Sequence, residues 1–126
     1  MLILYVADQR MSREFYARVL ERKPVLDVTG MTEFRLNDTC SLGLMPEAGI
    51  ARILGNRLPD PATGKGIPRA ELYLRDPDPV AALERLVSAG GREVSPAAER
   101  NWGDTVSYGA DPDGHVIAFA CGGAAN

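Results

Sequence analysis

The sequence predicts an α+β fold made of two β-α-β-β-β modules, on three observations. An offset of 68 residues carries Tyr5 onto Tyr73, and the same offset carries Leu4 onto Leu72, Val6 onto Leu74, Asp8 onto Asp76, Phe15 onto Leu83 and Val19 onto Val87. A strand, a capping Asp and a helix face repeated in one ungapped register mark an internal duplication. The second observation is a pair of amphipathic stretches with their own start signals. The third is the closing segment from Trp102 to Ala120, which reads as a β-hairpin. One module cannot cover its own sheet, so the two are expected to pair.

In chain order, Leu2–Val6 is a run of aliphatic and aromatic residues and reads as a strand. Asp8 can cap the helix that follows, expected near residues 11–21. Met11, Phe15 and Val19, with Tyr16 and Leu20 beside them, form its apolar face, and Pro24 stops it. Val25–Val28, the turn Thr29-Gly30 and Thr32–Leu36 suggest a hairpin. Asn37-Asp38 turns the chain into a short strand, Ser41–Met45, and Glu47–Leu54 has the length for one or two helical turns. Gly55–Gly66 is rich in glycine and proline and poor in apolar residues, which suits a linker.

The pattern then restarts. Glu71–Leu74 is a strand. Asp78 followed by Pro79 is an N-cap with proline at the first helical position. Val80, Leu83, Leu86 and Val87 give the apolar face of a helix near 79–89, which Gly90-Gly91 ends. Arg92–Val94 is a strand and Ser95–Asn101 a loop. In the final hairpin Val106 and Tyr108 alternate with Thr105 and Ser107. The second arm is the apolar run from His115 to Ala120, and Asp111-Pro112-Asp113-Gly114 has the composition of a type I turn. Gly122–Asn126 is expected to fray. One domain, 1–126, therefore divides into module 1 over about 1–54, a linker over about 55–67 and module 2 over about 68–122.

With 126 residues the chain is long enough for a real core, and 45% apolar and 25% charged residues are those of an ordinary globule. A net charge of −3 without basic runs gives no reason to expect nucleic acid or a membrane as partner. No stretch approaches the roughly 20 apolar residues of a membrane span. The opening Met-Leu-Ile-Leu-Tyr-Val is too short for a secretory leader. A cytoplasmic protein with Cys40 and Cys121 as free thiols is the expectation.

Trp102-Gly103 before one strand and Asp111-Pro112-Asp113-Gly114-His115 before the next resemble the last hairpin of the vicinal oxygen chelate superfamily. That superfamily holds glyoxalase I, extradiol dioxygenases, and bleomycin- and fosfomycin-resistance proteins. Tyr5-Val6-Ala7-Asp8 and Met11-Ser12-Arg13-Glu14-Phe15-Tyr16 are similar to its first strand and helix. The resemblance covers nearly the whole chain. It implies a curled, eight-stranded mixed sheet around a cup, with the helices outside, the glyoxalase/bleomycin-resistance fold. It also implies a homodimer, since many members build the cup from two chains.

Enzymes of that superfamily hold a divalent metal in the cup with His, Glu or Gln on the first and last strands of each module. Carried over, those places fall at Met1, Arg69, Ala118 and a position near Leu44, and a one-residue slip reaches only Leu2, Gly43, Ala70 and Phe119. None is a hard anionic or imidazole ligand. The single histidine, His115, follows a turn, where histidine ordinarily makes hydrogen bonds. No metal and no other cofactor is therefore expected.

Strand alternation would turn Tyr5 toward the cup in the first module and Arg69, Glu71 and Tyr73 in the second. Trp102 either closes the mouth of the cup or offers a flat stacking surface, and Tyr108 lies on the adjoining strand. Arg69 and Glu71 are expected to pair with each other, because a buried charge is costly alone. Tyr5, Arg69, Glu71, Tyr73, Trp102 and Tyr108 are thus the candidate ligand-binding residues. Catalytic residues are not assigned: there is no Gly-x-Ser-x-Gly elbow and no Cys-His pair. The leading expectation is a metal-free protein that binds a small apolar or aromatic molecule in a cup at a dimer interface. The alternative is a metal-dependent lyase, isomerase or dioxygenase of the same superfamily, and a third reading is a regulatory subunit that has lost both activities.

Overall fold

The computed structural model describes residues 1–122. The last four residues of the expected tail lie outside that range, and Gly122 closes a strand. The chain forms two compact units, Met1–Lys65 and a second that begins at Gly66. Among the described residues no helix is long and apolar enough to cross a membrane.

The first unit runs β1 (Leu2–Val6), α1 (Gln9–Leu20), β2 (Leu26–Val28), β3 (Met31–Arg35), β4 (Ser41–Pro46) and α2 (Glu47–Leu54), then a short 3-10 turn, Pro61–Gly64, inside the expected linker. Its sheet has the order β1-β4-β3-β2, with β1 parallel to β4 and the other pairs antiparallel. Asp8 caps α1, its carboxylate accepting the Met11 N–H at 3.0 Å. The buried stripe is Ser12, Phe15, Tyr16 and Val19. Met11, expected on that stripe, is exposed. At about 100° per residue, Met11 and Leu20 sit roughly 90° to either side of the stripe's centre. The helix also ends before Pro24. Glu21 takes a left-handed φ of 54° and its N–H returns to the Ala17 carbonyl, so the αL cap, not the proline, stops it.

The second unit runs β5 (Glu71–Arg75), α3 (Pro79–Ser88), β6 (Arg92–Glu99), β7 (Asp104–Ala110) and β8 (Val116–Gly122). Its order, β5-β8-β7-β6 with β5 parallel to β8, repeats the first. The two sheets and three helices are the α+β architecture that the repeat predicts. Asp78 caps α3 by accepting the Ala81 N–H at 3.1 Å. Pro79, Ala82, Leu83 and Leu86 are buried, whereas Val80 and Val87, expected on the same face, are exposed. They lie about 90–110° from that face's centre. Ser95–Glu99, expected as a loop, continues β6 with register shifts between Glu93, Ser95 and Ala98. Pro96 has no N–H to donate, and an edge strand with bulges tolerates it.

The β7–β8 turn is held by one side chain. Asp111 Oδ1 accepts the N–H groups of Asp113 at 2.9 Å and His115 at 2.8 Å, and Gly114 closes the turn with a φ of 91°. α3 lies over β6, β7 and β8. Ser107 Oγ donates to the Pro79 carbonyl at 2.8 Å, and Leu86 seats against Gly91 and Gly109. A Cβ on Gly91 would lie 2.5 Å from Leu86 Cδ2 and 2.6 Å from the Ala110 carbonyl oxygen. Gly91→Ala is expected to destabilise the protein by about 1–3 kcal/mol through overpacking against backbone that cannot yield. Urea unfolding measures it, and an unchanged midpoint would contradict the close approach.

Candidate functional site

The second sheet has one face under α3 and one face free of any helix of its own unit. Register fixes which residues share the free face. Tyr73 lies opposite Ala118, which lies opposite Tyr108, and Arg75 lies opposite Ala120, which lies opposite Val106. Val106, Ala118 and Ala120 are a buried floor with Tyr108 packed against it.

Above that floor stands a polar cluster centred on Asp104, the first residue of β7, only 6% exposed. Its Oδ2 accepts the Tyr73 hydroxyl at 2.5 Å and meets Arg75 Nη1 at 2.9 Å. The same hydroxyl accepts the Trp102 indole N–H at 2.9 Å. Arg75 also places its guanidinium 5.6 Å from the Tyr73 ring centre. The loop before Asp104 is pinned at both ends: the Arg100 N–H donates to the Asp104 carbonyl at 2.8 Å, and the Gly103 N–H to the Arg100 carbonyl at 3.1 Å. Gly103 supplies the positive φ, 99°, that this tight turn needs. Trp102 is therefore 57% exposed, yet its indole N–H is tied to Tyr73.

These contacts set the protonation of the cluster. Tyr73 holds its proton above the ordinary phenol value of 10.0, first because of desolvation and then because its hydroxyl donates to the Asp104 carboxylate. The Trp102 N–H acts in the opposite sense. Arg75 is held still more firmly charged by its hydrogen bond to Asp104.

Of the six expected residues, the structure brings Tyr73, Trp102 and Tyr108 onto one face. Glu71 sits one rung along, opposite Val116, and Arg69 precedes the strand; both are exposed. Among the described residues they form no ion pair with each other, contrary to expectation: at the open end of the strand, water solvates each charge without a partner. Tyr5 belongs to the first unit, where it lies opposite Met45. Asp104, Arg75 and Arg100 were not foreseen. Arg75 was within reach of the alternation that gave Tyr73, two residues earlier. Asp104 carries no local signal, since its partners are 31 and 29 positions away in sequence.

The places where the superfamily's enzymes hold a metal do not fit one. The sheet register makes Met45, opposite Tyr5, the counterpart of Ala118, opposite Tyr73. This corrects the expectation near Leu44, whose side chain points to the helix-covered face and is fully buried. A Cβ on neighbouring Gly43 would lie 3.0 Å from Met1 Sδ and 3.3 Å from Met31 Sδ, so thioethers crowd this face. Thioether, methyl and guanidinium groups are not ligands for a hard or borderline divalent ion. Asp111, Asp113 and His115 are three metal-capable side chains brought close together. Both Asp111 oxygens are already committed, Oδ1 to the turn N–H groups and Oδ2 to His115 Nδ1 at 2.8 Å. The cluster is a turn staple, which is the role expected of His115.

A family model described as the Glyoxalase/Bleomycin resistance protein/Dioxygenase superfamily matches residues 1–119. No curated protein matches the sequence. Among solved structures, a glyoxalase-related enzyme from Fulvimarina pelagi is similar with a TM-score of 0.79 and 24% identity, covering 94% of this chain and 84% of that one. A glyoxalase/bleomycin resistance protein/dioxygenase from Nocardioides gives 0.75 and 22%, covering 99% and 83%. A glyoxalase/bleomycin resistance protein/dioxygenase family enzyme from Burkholderia phytofirmans PsJN gives 0.75 and 13%, covering 94% of each. At these identities the likeness is one of fold.

The Tyr73 phenol gives the cluster a pH signature. The native state keeps a proton that the unfolded chain loses above pH 10.0. Its contribution to stability is thus complete below that pH and is lost as pH rises through the folded value. Phenolate absorbance should show that Tyr73→Phe removes one phenol titrating above the ordinary range. Asp104→Asn should bring the same phenol part of the way back, since desolvation remains. Loss of an ordinary phenol in Tyr73→Phe would contradict the cluster.

Proposed function

The chain belongs to the Glyoxalase/Bleomycin resistance protein/Dioxygenase superfamily, and from that premise we propose that it is a metal-free binding member. Its ligand is a small, flat, apolar or aromatic molecule, taken up in a cup that two copies of the chain complete. The observation that carries this reading is the state of Trp102: a large aromatic surface left open to solvent while its only polar atom is satisfied by Tyr73. A ring presented in that way, tied to a tyrosine that stands opposite Ala118 of the buried apolar floor, is pre-organised to stack. It loses little rotamer freedom when a ligand arrives.

The metal-free part rests on the donor set. Met1, Met45, Arg69 and Ala118 replace the carboxylates and imidazoles that a divalent ion needs, and Arg69 would repel it. A lyase, isomerase or dioxygenase of the superfamily's metal-dependent kind has no support at those positions. The dimer rests on exposed apolar surface. Each four-stranded sheet ends in edge strands, and Met1, Leu26, Val28 and Tyr5 remain exposed on the first. Such surface and such edges favour association.

Trp102 is the only tryptophan, so fluorescence reports this site alone. Saturable quenching by flat aromatic compounds is expected. Calorimetry on Trp102→Ala should show affinity reduced by about 1 kcal/mol, roughly fivefold. Added Zn²⁺, Mn²⁺, Fe²⁺ or Ni²⁺ should leave the melting temperature unchanged, because an ion that bound the native state would raise it. Light scattering at micromolar concentration should give a dimer mass. Stoichiometric metal by elemental analysis, with an activity lost in Glu71→Ala, would instead establish the enzyme.

A further inference from the structure

The free face of the second sheet carries two arginine–tyrosine stacks, and their charges are treated differently. Arg75 lies 5.6 Å from the Tyr73 ring centre and is neutralised by Asp104 at 2.9 Å. Arg100 lies 5.2 Å from the Tyr108 ring centre, and its Nη2 donates only to the neutral Ser95 hydroxyl at 3.2 Å. Among the described residues Arg100 has no carboxylate partner, and its Nε is buried without an acceptor. A guanidinium desolvated on one edge and held over an aromatic face lacks the counter-charge that such a group ordinarily finds.

The position of Arg100 matters as much as its charge. It is fixed by the backbone bond to Asp104, and the tight turn that follows places it two residues from Trp102. Ser95, opposite Tyr108 in the register, holds its far end. The Arg100 guanidinium and the Trp102 ring are therefore carried by one hydrogen-bonded turn.

We propose that Arg100 is the anion anchor of this site and that the ligand is a flat aromatic carboxylate, its ring on Trp102 and its carboxylate on the Arg100 guanidinium. The proposal rests on the stacking reading above and adds the ligand's charge. Asp104 works in the same direction. By neutralising Arg75 it leaves Arg100, of the two stacked arginines, as the one still to be matched by a carboxylate. Planar guanidinium and planar carboxylate suit side-by-side hydrogen bonding, which also sets the ring's orientation.

The test uses the full chain and two probes of one shape, 2-naphthoate and its neutral amide. Both should quench Trp102. Calorimetry should show the acid binding at least about tenfold more tightly than the amide. Arg100→Met should bring the acid down to the affinity of the amide, while Arg100→Lys keeps part of the preference. Thermal unfolding checks that each variant is folded, and the acid-to-amide ratio in the unaltered protein is decisive if the Met variant is not. Equal affinity for the two probes would overturn the anchor and leave the stacking site standing, as would a preference that survives in folded Arg100→Met. Binding of neither probe would overturn both.

Discussion

The carboxylate of Asp104 sits at the start of β7 with almost no access to water, and a charge in that position is tolerable only if its oxygens are met. Arg75 supplies the opposite charge and Tyr73 a hydroxyl proton. Using the Tyr73 proton in this way leaves the phenol oxygen free to accept, and Trp102 donates to it. One buried carboxylate thus fixes two rings and a guanidinium on the free face of the sheet. The four residues come from three segments: β5 gives Tyr73 and Arg75, the loop gives Trp102, and β7 gives Asp104. The arrangement exists because β8 lies between β5 and β7 with alanines at positions 118 and 120, whose short side chains let groups on either side meet above them.

The two units share a plan and differ in chemistry. In both, a capped helix follows the first strand and the fourth strand returns parallel to the first. The helix-covered faces match in part: Phe15 corresponds to Leu83 and both are buried, whereas Val87, the counterpart of buried Val19, is exposed; Asp8 caps the first helix, while its counterpart Asp76 lies two residues before Asp78, which caps the second. The other faces have diverged. Tyr5 meets Met45 beside a glycine crowded by thioethers, whereas Tyr73 meets Ala118 within a network of charges and hydrogen bonds. The covered face is constrained by packing volume, while the free face is constrained only by what it must contact.

Local chemistry in the sequence determined the strands, both capped helices, the terminal turn and the duplication, because each rests on interactions spanning a few residues. Asp8 and Asp78 cap helices three residues ahead, and Asp111 organises a turn within four. The alternation of strand residues likewise gave Tyr73, and the motifs around Trp102 gave the family. Tertiary structure decided what periodicity leaves ambiguous. A 100° step cannot distinguish the centre of an apolar stripe from its flank, so Met11, Val80 and Val87 proved exposed while Ser12 and Ala82 are buried. Pairing with β7 made Ser95–Glu99 a strand despite Pro96. Register alone could show that Met45 rather than Leu44 answers to Ala118, since a shift of one residue reverses the face. The Asp104 cluster was hidden for the same reason: its members are about thirty residues apart, and only the parallel return of β8 beside β5 brings a buried carboxylate within reach of its cation.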